Sequence, residues 1–253
     1  MPSTKIDIFL CNTQKPVPKI LLQEYLEMLP IKEQIRLTKF SGSRRKNQLV
    51  SLALLYSELA IKTGESSENL KISRNTNGKP YLADFSQYQF NLSHCKDFIV
   101  MAIAQTDPIG IDIEKVDLSR TNLHRISERF FSSKENEALS KYKDKKHALM
   151  FYRLWTLKEA WVKANGEALI PNINTIEFSI DESSFTINSV KKFKSGQFLL
   201  YRPLENFLLA FCSLSLNVKL KTSDFAVKRG LPLRPWENIG QLDLDSTIQN
   251  LNL

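Results

Sequence analysis

The sequence predicts an α+β protein in two parts of similar layout. Three observations carry this. Two long segments, Arg44 to Lys62 and Lys145 to Asn165, have the 3.6-residue period of a packed helix. A series of short strand-like runs follows each. A breaker, Gln105-Thr106-Asp107-Pro108, lies near the middle of the 253 residues.

Taken in order, residues 5–11 (KIDIFLC) read as a short first strand, and a helical stretch begins near Leu21. Between Arg44 and Lys62, the residues Leu49, Leu52, Ala53, Tyr56 and Ala60 recur at the spacing of one buried helix face. Short strands follow at Lys71–Ser73, at Pro80–Leu82 after the turn Asn77-Gly78, at Phe90–Leu92 and at Phe98–Ala104. Beyond the breaker, a strand at Ile109–Glu114 precedes helices at Leu123–Arg129, Lys134–Lys141 and Lys145–Asn165. Strands are then predicted at Thr175–Ile180, Ser184–Asn188, Gln197–Tyr201 and Leu208–Leu216. The halves share this order of elements but no residue-level repeat. From Lys219 the chain carries Pro232, Pro235, Lys228, Arg229 and Arg234 and reads as an extended wrap or arm. The division expected is 1–107 for an N-terminal half, 108–218 for a C-terminal half that carries the metal site, and 219–253 for a tail.

Hydrophobic residues make up 42% and charged residues 25%, ordinary globular usage that excludes disordered and fibrous classes. The excess of 35 basic over 27 acidic residues gives +8 and favours a polyanionic partner without choosing one. Three cysteines, Cys11, Cys95 and Cys212, with no C-x-x-C, argue against a disulfide scaffold or zinc ribbon and for a reducing, cytoplasmic setting. The start MPSTKIDIFL has Asp7 where an apolar signal core would lie, and Arg202 and Glu205 interrupt the longest apolar run, so neither a secretory signal nor a membrane span is expected.

The chemistry concentrates in three segments. In Ile109-Gly110-Ile111-Asp112-Ile113-Glu114, alternation puts the isoleucines on one strand face and Gly110, Asp112 and Glu114 on the other. Two carboxylates so placed repel unless solvent or a hard cation such as Mg²⁺ relieves them. Read alone, the pattern fits a solvated sheet face as well as a metal site. In the helix Trp155–Ala164, the residues Met150, Leu154, Leu157, Trp161 and Ala164 form an apolar stripe, with Trp155, Glu159, Val162 and Lys163 opposite. Glu159 and Lys163 alone would be a solvated i,i+4 pair. Trp155 and Val162 beside them point to a face that also meets protein or ligand. The third segment, Phe90-Asn91-Leu92-Ser93-His94, ends a strand on a lone histidine. Neighbouring Cys95 lacks an orienting third group, so a Cys–His nucleophile is rejected. His124 and His147 have no metal spacing to His94. Arg44, Arg45 and Lys46 at a helix start, and Gly78-Lys79-Pro80 at a turn, complete the basic clusters. No P-loop or dinucleotide glycine motif occurs.

In this order K-P-Y, N-L-S-H, G-I-D-I-E, F-F-S-S-K-E and W-T-L-K-E-A-W-V-K-A-N-G resemble the 4′-phosphopantetheinyl transferase superfamily, in its monomeric form named for the surfactin-synthetase activator. The resemblance covers Arg44 to Ile170, with G-x-D-x-E about 45 residues before W-x-x-K-E-x-x-x-K. It implies an α+β pseudodimer, each half a small sheet packed on a long helix, with the active site in the cleft between them. It implies transfer of phosphopantetheine from coenzyme A to a serine of an apo acyl- or peptidyl-carrier protein, releasing 3′,5′-ADP. By matching position, Asp112, Glu114 and Glu159 would hold Mg²⁺, Glu159 would also serve as general base, and Lys163 would neutralise the departing phosphate. Lys79, Pro80, Ser93 and His94 match the coenzyme A contacts, as do Arg44 or Arg45, Asp112, Lys158 and Lys163. The residues Val50-Ser51 depart from the family's glycine after the arginine. The partners implied are coenzyme A and an acidic carrier protein, with no nucleic acid and no membrane. A Mg²⁺-dependent nuclease or a basic nucleic-acid-binding module would explain the carboxylates or the charge, but not N-L-S-H or K-P-Y.

Overall fold

The computed structural model describes residues 5–105, 107–166, 173–181, 184–190, 196–214, 220–238 and 247–250. Its first half runs β1 (Ile6–Asn12), α1 (Lys19–Glu27), α2 (Ile31–Leu37), α3 (Gly42–Thr63), β2 (Ile72–Arg74), β3 (Pro80–Leu82), β4 (Tyr88–Cys95) and β5 (Phe98–Gln105). The second runs β6 (Ile109–Lys115), α4 (Leu123–Phe130), α5 (Ser133–Ser140), α6 (Asp144–Asn165), β7 (Ile176–Ile180), β8 (Phe185–Val190), β9 (Gln197–Leu204) and β10 (Phe207–Ser213). In each half a long helix precedes a two-stranded hairpin and then a longer antiparallel hairpin, whose second strand pairs with the strand that opens the half. Thus β1–β5–β4 in one half matches β6–β10–β9 in the other. Both α3 and α6 have 22 residues and stop at a glycine in the left-handed region, Gly64 and Gly166, the residue that closes a helix without Cβ strain. The pseudodimer expected from the resemblance is present.

Burial explains the layering. On β1 and β5, Phe9, Cys11, Ile99, Met101 and Ile103 face α3, whereas Ile6, Ile8, Leu10, Val100 and Ala102 face the opposite way. That second set meets Ile109, Ile111, Ile113, Leu209 and Phe211 of the other sheet. The far side of the second sheet, with Phe198, Leu208, Ala210 and Cys212, packs on α6. The order of layers is therefore helix, sheet, sheet, helix.

Three details differ from the sequence reading. The helical stretch near Leu21 is two helices, because Leu29-Pro30 breaks it and Pro30 precedes the first residue of α2. The stripes predicted on α3 and α6 widen to nearly the full circumference, since neighbouring elements cover the flanks. The expected wrap beyond Lys219 supplies sheet strands. β11 (Phe225–Arg229) lies parallel to β1, β12 (Glu237–Asn238) pairs with β11, and β13 (Thr247–Asn250) pairs with β9. Tertiary contacts anchor the segment that follows β11: Tyr25 donates to the Pro232 carbonyl at 2.7 Å, and Trp236 packs on Phe9 and donates to Glu58 at 2.9 Å.

Candidate functional site

The site forms where β4, the edge of the first sheet, runs beside β6, the edge of the second. Edge N–H groups need partners, and here side chains supply them. Asn91 Oδ1 accepts the Ile111 N–H at 2.8 Å, and Cys95 Sγ accepts the Lys115 N–H at 3.2 Å. Between these stitches Ser93 Oγ donates to Asp112 Oδ1 at 2.8 Å. Alternate residues of β4 thus reach across to β6.

Gly110 brings the helix in. A Cβ there would lie 2.1 Å from the Ala160 carbonyl oxygen and 2.4 Å from the Ala164 nitrogen, so only glycine lets α6 rest on β6. The contact sets the last two turns of α6 against the carboxylate face of the strand. Lys163 Nζ lies 2.6 Å from Asp112 Oδ1 and 2.9 Å from Ser93 Oγ. Its partner is Asp112 on the neighbouring strand β6, so the solvated pair with Glu159 is not the arrangement found. Trp155, one turn before Glu159, donates its indole N–H to Glu114 Oε1 at 3.1 Å. Phe151 stacks on that indole, and Phe130 meets it edge-on. Trp155 and the buried Val162 therefore meet protein.

The electrostatics are those of crowded carboxylates. Burial, reinforced by the Asp112 charge, pushes Glu159 up to about 8 and Glu114 up to about 7. Burial opposes the Lys163 ammonium, but Asp112, Glu159 and Glu114 outweigh it and hold its pKa above the ordinary lysine value. Asp112 is 3% exposed, and its Oδ2 has no hydrogen-bond partner. Among the described residues no three His, Cys, Asp or Glu side chains are drawn together as a metal-binding group. The lysine, not a converged ligand set, now neutralises Asp112.

Beside this cluster opens a cavity of about 310 Å³ between α2, α3, the β2–β3 hairpin and β4. Ser93 and His94 line it, with Pro80, Arg36, Arg74 and Tyr56. Ser93 therefore belongs to both the cavity and the carboxylate cluster.

Four expected coenzyme contacts lie elsewhere. Arg44 is exposed, one turn beyond the cavity, with its guanidinium 4.9 Å over the Phe40 ring. Arg45 lines a separate groove with Lys19, Leu22 and Leu26. Lys158 is fully buried on the far side of α6, where Glu135 pairs with it at 2.9 Å and the Ile173 and Ile176 carbonyls accept from it. An unpaired ammonium could not stay there, and Glu135 also closes a capping box with Ser132. The F-F-S-S-K-E motif is thus a helix start and an ion-pair anchor, legible in advance as S-x-x-E. Lys79 donates to the carbonyls of Ile109 and Ala164, both at 2.9 Å, and so clamps the start of β6 to the end of α6.

Burial pushes Lys79 down to about 8, and a neutral amine keeps the two donors those carbonyls need. The unfolded chain, with an ordinary lysine, binds more protons between pH 8 and 10.5. The contribution of Lys79 to stability should therefore grow as pH rises through that window. Denaturant titrations of the protein and of Lys79→Met should diverge over it, and parallel curves would refute the clamp.

Arg36 and Arg74 are the cations that sequence reasoning missed. Arg74 could have been found, as it precedes the Asn77-Gly78 turn and lies opposite Pro80 in the hairpin. Arg36 carries no local signal, because only the packing of α2 against α3 brings it to the cavity.

Comparisons with known proteins agree with the two-part layout. Residues 15–106 match the profile described as 4′-phosphopantetheinyl transferase, N-terminal, and residues 108–212 match that of the 4′-phosphopantetheinyl transferase superfamily. The chain is 31% identical over 167 residues to the 4′-phosphopantetheinyl transferase HetI of Nostoc sp., covering 64% of this chain and 70% of that one. It is 31% identical over 195 residues to the L-aminoadipate-semialdehyde dehydrogenase-phosphopantetheinyl transferase of Rattus norvegicus, covering 73% of this chain. That match spans 63% of the rat protein's length. The 4′-phosphopantetheinyl transferase gsp of Aneurinibacillus migulanus is 33% identical over 154 residues, 60% of this chain and 62% of its own. The two matched segments meet at the break between β5 and β6, where the halves divide, and with the similarity to HetI they establish that this chain belongs to the 4′-phosphopantetheinyl transferase superfamily.

Proposed function

We propose that the protein transfers 4′-phosphopantetheine from coenzyme A to a serine of an apo acyl- or peptidyl-carrier protein, releasing 3′,5′-ADP. The observation that carries this is the continuity through Ser93. A cavity with cationic and apolar walls, suited to a nucleotide, adjoins three carboxylates and a lysine, suited to a pyrophosphate.

The donor set fits a hard cation. The Asp112 charge raises the proton affinity of both Glu114 and Glu159, and the buried Asp112 Oδ2 is unpartnered. Asp112, Glu114 and Glu159 would hold Mg²⁺, which when bound supplies positive charge to the pyrophosphate oxygens. Trp155 restrains Glu114 through its indole N–H. Glu159 takes the proton from the acceptor serine as the hydroxyl oxygen attacks the β-phosphorus. The bond from that phosphorus to the bridging oxygen breaks, and 3′,5′-ADP leaves with the electron pair. Lys163 stays charged and meets the growing charge on the α-phosphate. Arg36, Arg74, Pro80 and His94 would hold the nucleotide end.

Intact mass of an apo carrier protein after incubation with coenzyme A and Mg²⁺ tests the reading. A gain of one phosphopantetheine supports it, whereas no gain together with nicked or bound DNA would move the protein to a nuclease or nucleic-acid binder. The cation is tested separately. Mg²⁺ should raise the unfolding temperature of the free protein, and Asp112→Asn should abolish the rise. An equal rise in both proteins would remove Asp112 from the ligand set.

The acidic character of the carrier, a monomeric state and a cytoplasmic setting belong to the same proposal. The +8 charge and the three free cysteines support the first and last. No helix among the described residues is long and apolar enough to cross a membrane.

A further inference from the structure

The cavity is lined by two polar groups that neither the transfer chemistry nor phosphate binding uses. Tyr56, from the middle of α3, is 0% exposed, and its hydroxyl has no hydrogen-bond partner. Burial pushes that phenol up to about 12, with the Glu33 charge adding and Arg36 and Arg74 opposing, so it lies among these cavity residues. Glu33, on α2, has a side chain 13% exposed. Its Oε2 is 3.1 Å from Arg36 Nε as an ion pair but accepts no aligned hydrogen bond. A buried donor without a partner and a carboxylate oxygen held only by an ion pair thus line the same cavity. Unmade hydrogen bonds of this kind destabilise the empty protein.

Burial grades along the cavity. Arg74 and His94 are exposed at its mouth, where a phosphate can keep solvent contact. Leu52, Leu55, Ile72, Leu92 and Pro80 supply its apolar walls, and Tyr56 is the lining residue with no exposure. That sequence of surfaces suits a phosphorylated nucleoside with its base inward. We propose that Tyr56 and Glu33 read the edge of the base and select a 6-aminopurine over a 6-oxopurine.

The reason lies in donor and acceptor types. A carboxylate only accepts, so Glu33 pairs with an exocyclic amino group, and the Arg36 ion pair holds it in place. The phenol O–H then donates to the adjacent ring nitrogen. In the same pose a 6-oxopurine would set its oxygen against the carboxylate, with both groups acceptors. A site built to bond one edge rejects the other because its own buried groups are left unpaired. This inference rests on the coenzyme A reading and adds residues that recognise the base.

Calorimetric titration with 3′,5′-ADP and with its deaminated counterpart, 3′,5′-IDP, tests it without any transfer step. The wild-type protein should bind the amino nucleotide about 10-fold more tightly or better. Tyr56→Phe should weaken 3′,5′-ADP binding about 5- to 10-fold while leaving the unfolding temperature unchanged or higher, because an orphaned hydroxyl is removed. Glu33→Gln, whose amide can donate, should erase the preference between the two nucleotides. Equal binding of both by the wild type, or a Tyr56→Phe affinity within twofold of it, would overturn the proposal. If the wild type binds neither nucleotide, the coenzyme A reading itself fails and the base-reading proposal falls with it.

Discussion

Lys163→Ala should lower kcat for phosphopantetheine transfer by roughly 10²–10³, the usual loss for one preorganised electrostatic donor, with little change in coenzyme A affinity. The leaving α-phosphate gains charge only as the bridging bond breaks, so the ammonium works mainly in the transition state. The structure adds a consequence for stability. Lys163 lies 2.6 Å from Asp112, which is 3% exposed, and its removal strands that carboxylate. Breaking a buried pair is costly, but the lysine side chain is 27% exposed, so about 2–3 kcal/mol is expected. Replacing both partners, as Asp112→Asn with Lys163→Met, should recover most of that stability and none of the transfer. Lys163→Arg should restore only part of the rate, because its broader guanidinium cannot take the place of a point charge between Ser93 and Asp112. Denaturant unfolding and single-turnover rates on the same variants separate the two effects. Turnover of Lys163→Ala within twofold of wild type would exclude Lys163 from the chemistry.

Among the described glycines, Gly110→Ala should be the most damaging change. The added methyl would sit 2.1 Å from one α6 backbone atom and 2.4 Å from another, and backbone cannot rotate aside as a side chain can. The helix must lift from β6, which should cost about 3 kcal/mol in overpacking. The same displacement carries Glu159 and Lys163 away from Asp112 and Glu114, so transfer should fall further than stability alone explains. The measurement is activity at a temperature where the variant is still folded by circular dichroism. Unchanged stability would mean that α6 does not rest on β6 as described.

How much of this was legible in the chain depends on the range of the interaction concerned. The Ile109–Glu114 strand declares its two faces because side chains alternate along any strand. The stripe from Met150 to Ala164 declares a buried helix for the same local reason. These patterns and the family resemblance single out Asp112, Glu114, Glu159 and Lys163, and the fold sets Lys163 against Asp112. Lys158 shows where such reading stops. It adjoins Glu159 in sequence, but one residue of helix is a rotation of about 100°, and that rotation carries it to a pocket completed by Glu135 and the carbonyls of Ile173 and Ile176. Lys79 likewise matches a coenzyme A contact by position, and the fold sets its ammonium on the carbonyls of Ile109 and Ala164 at the ends of β6 and α6. Arg44 and Arg45 were read as a basic helix start, while the cations on the cavity, Arg36 and Arg74, come from different elements.

By itself the sequence determined the class of fold, the order of elements in both halves, the superfamily and the carboxylates that face one strand side, because each depends on periodicity or on short motifs. Only the tertiary structure decided which cations meet those carboxylates, which polar groups close the cavity, and that the segment after Lys219 adds a strand beside β1. These outcomes join residues far apart in the chain, such as Tyr25 with Pro232, Ser93 with Asp112 and Lys163, and Tyr56 with Glu33 and Arg74. Their proximity follows from how sheets and helices bury apolar faces against each other, and no local pattern encodes it.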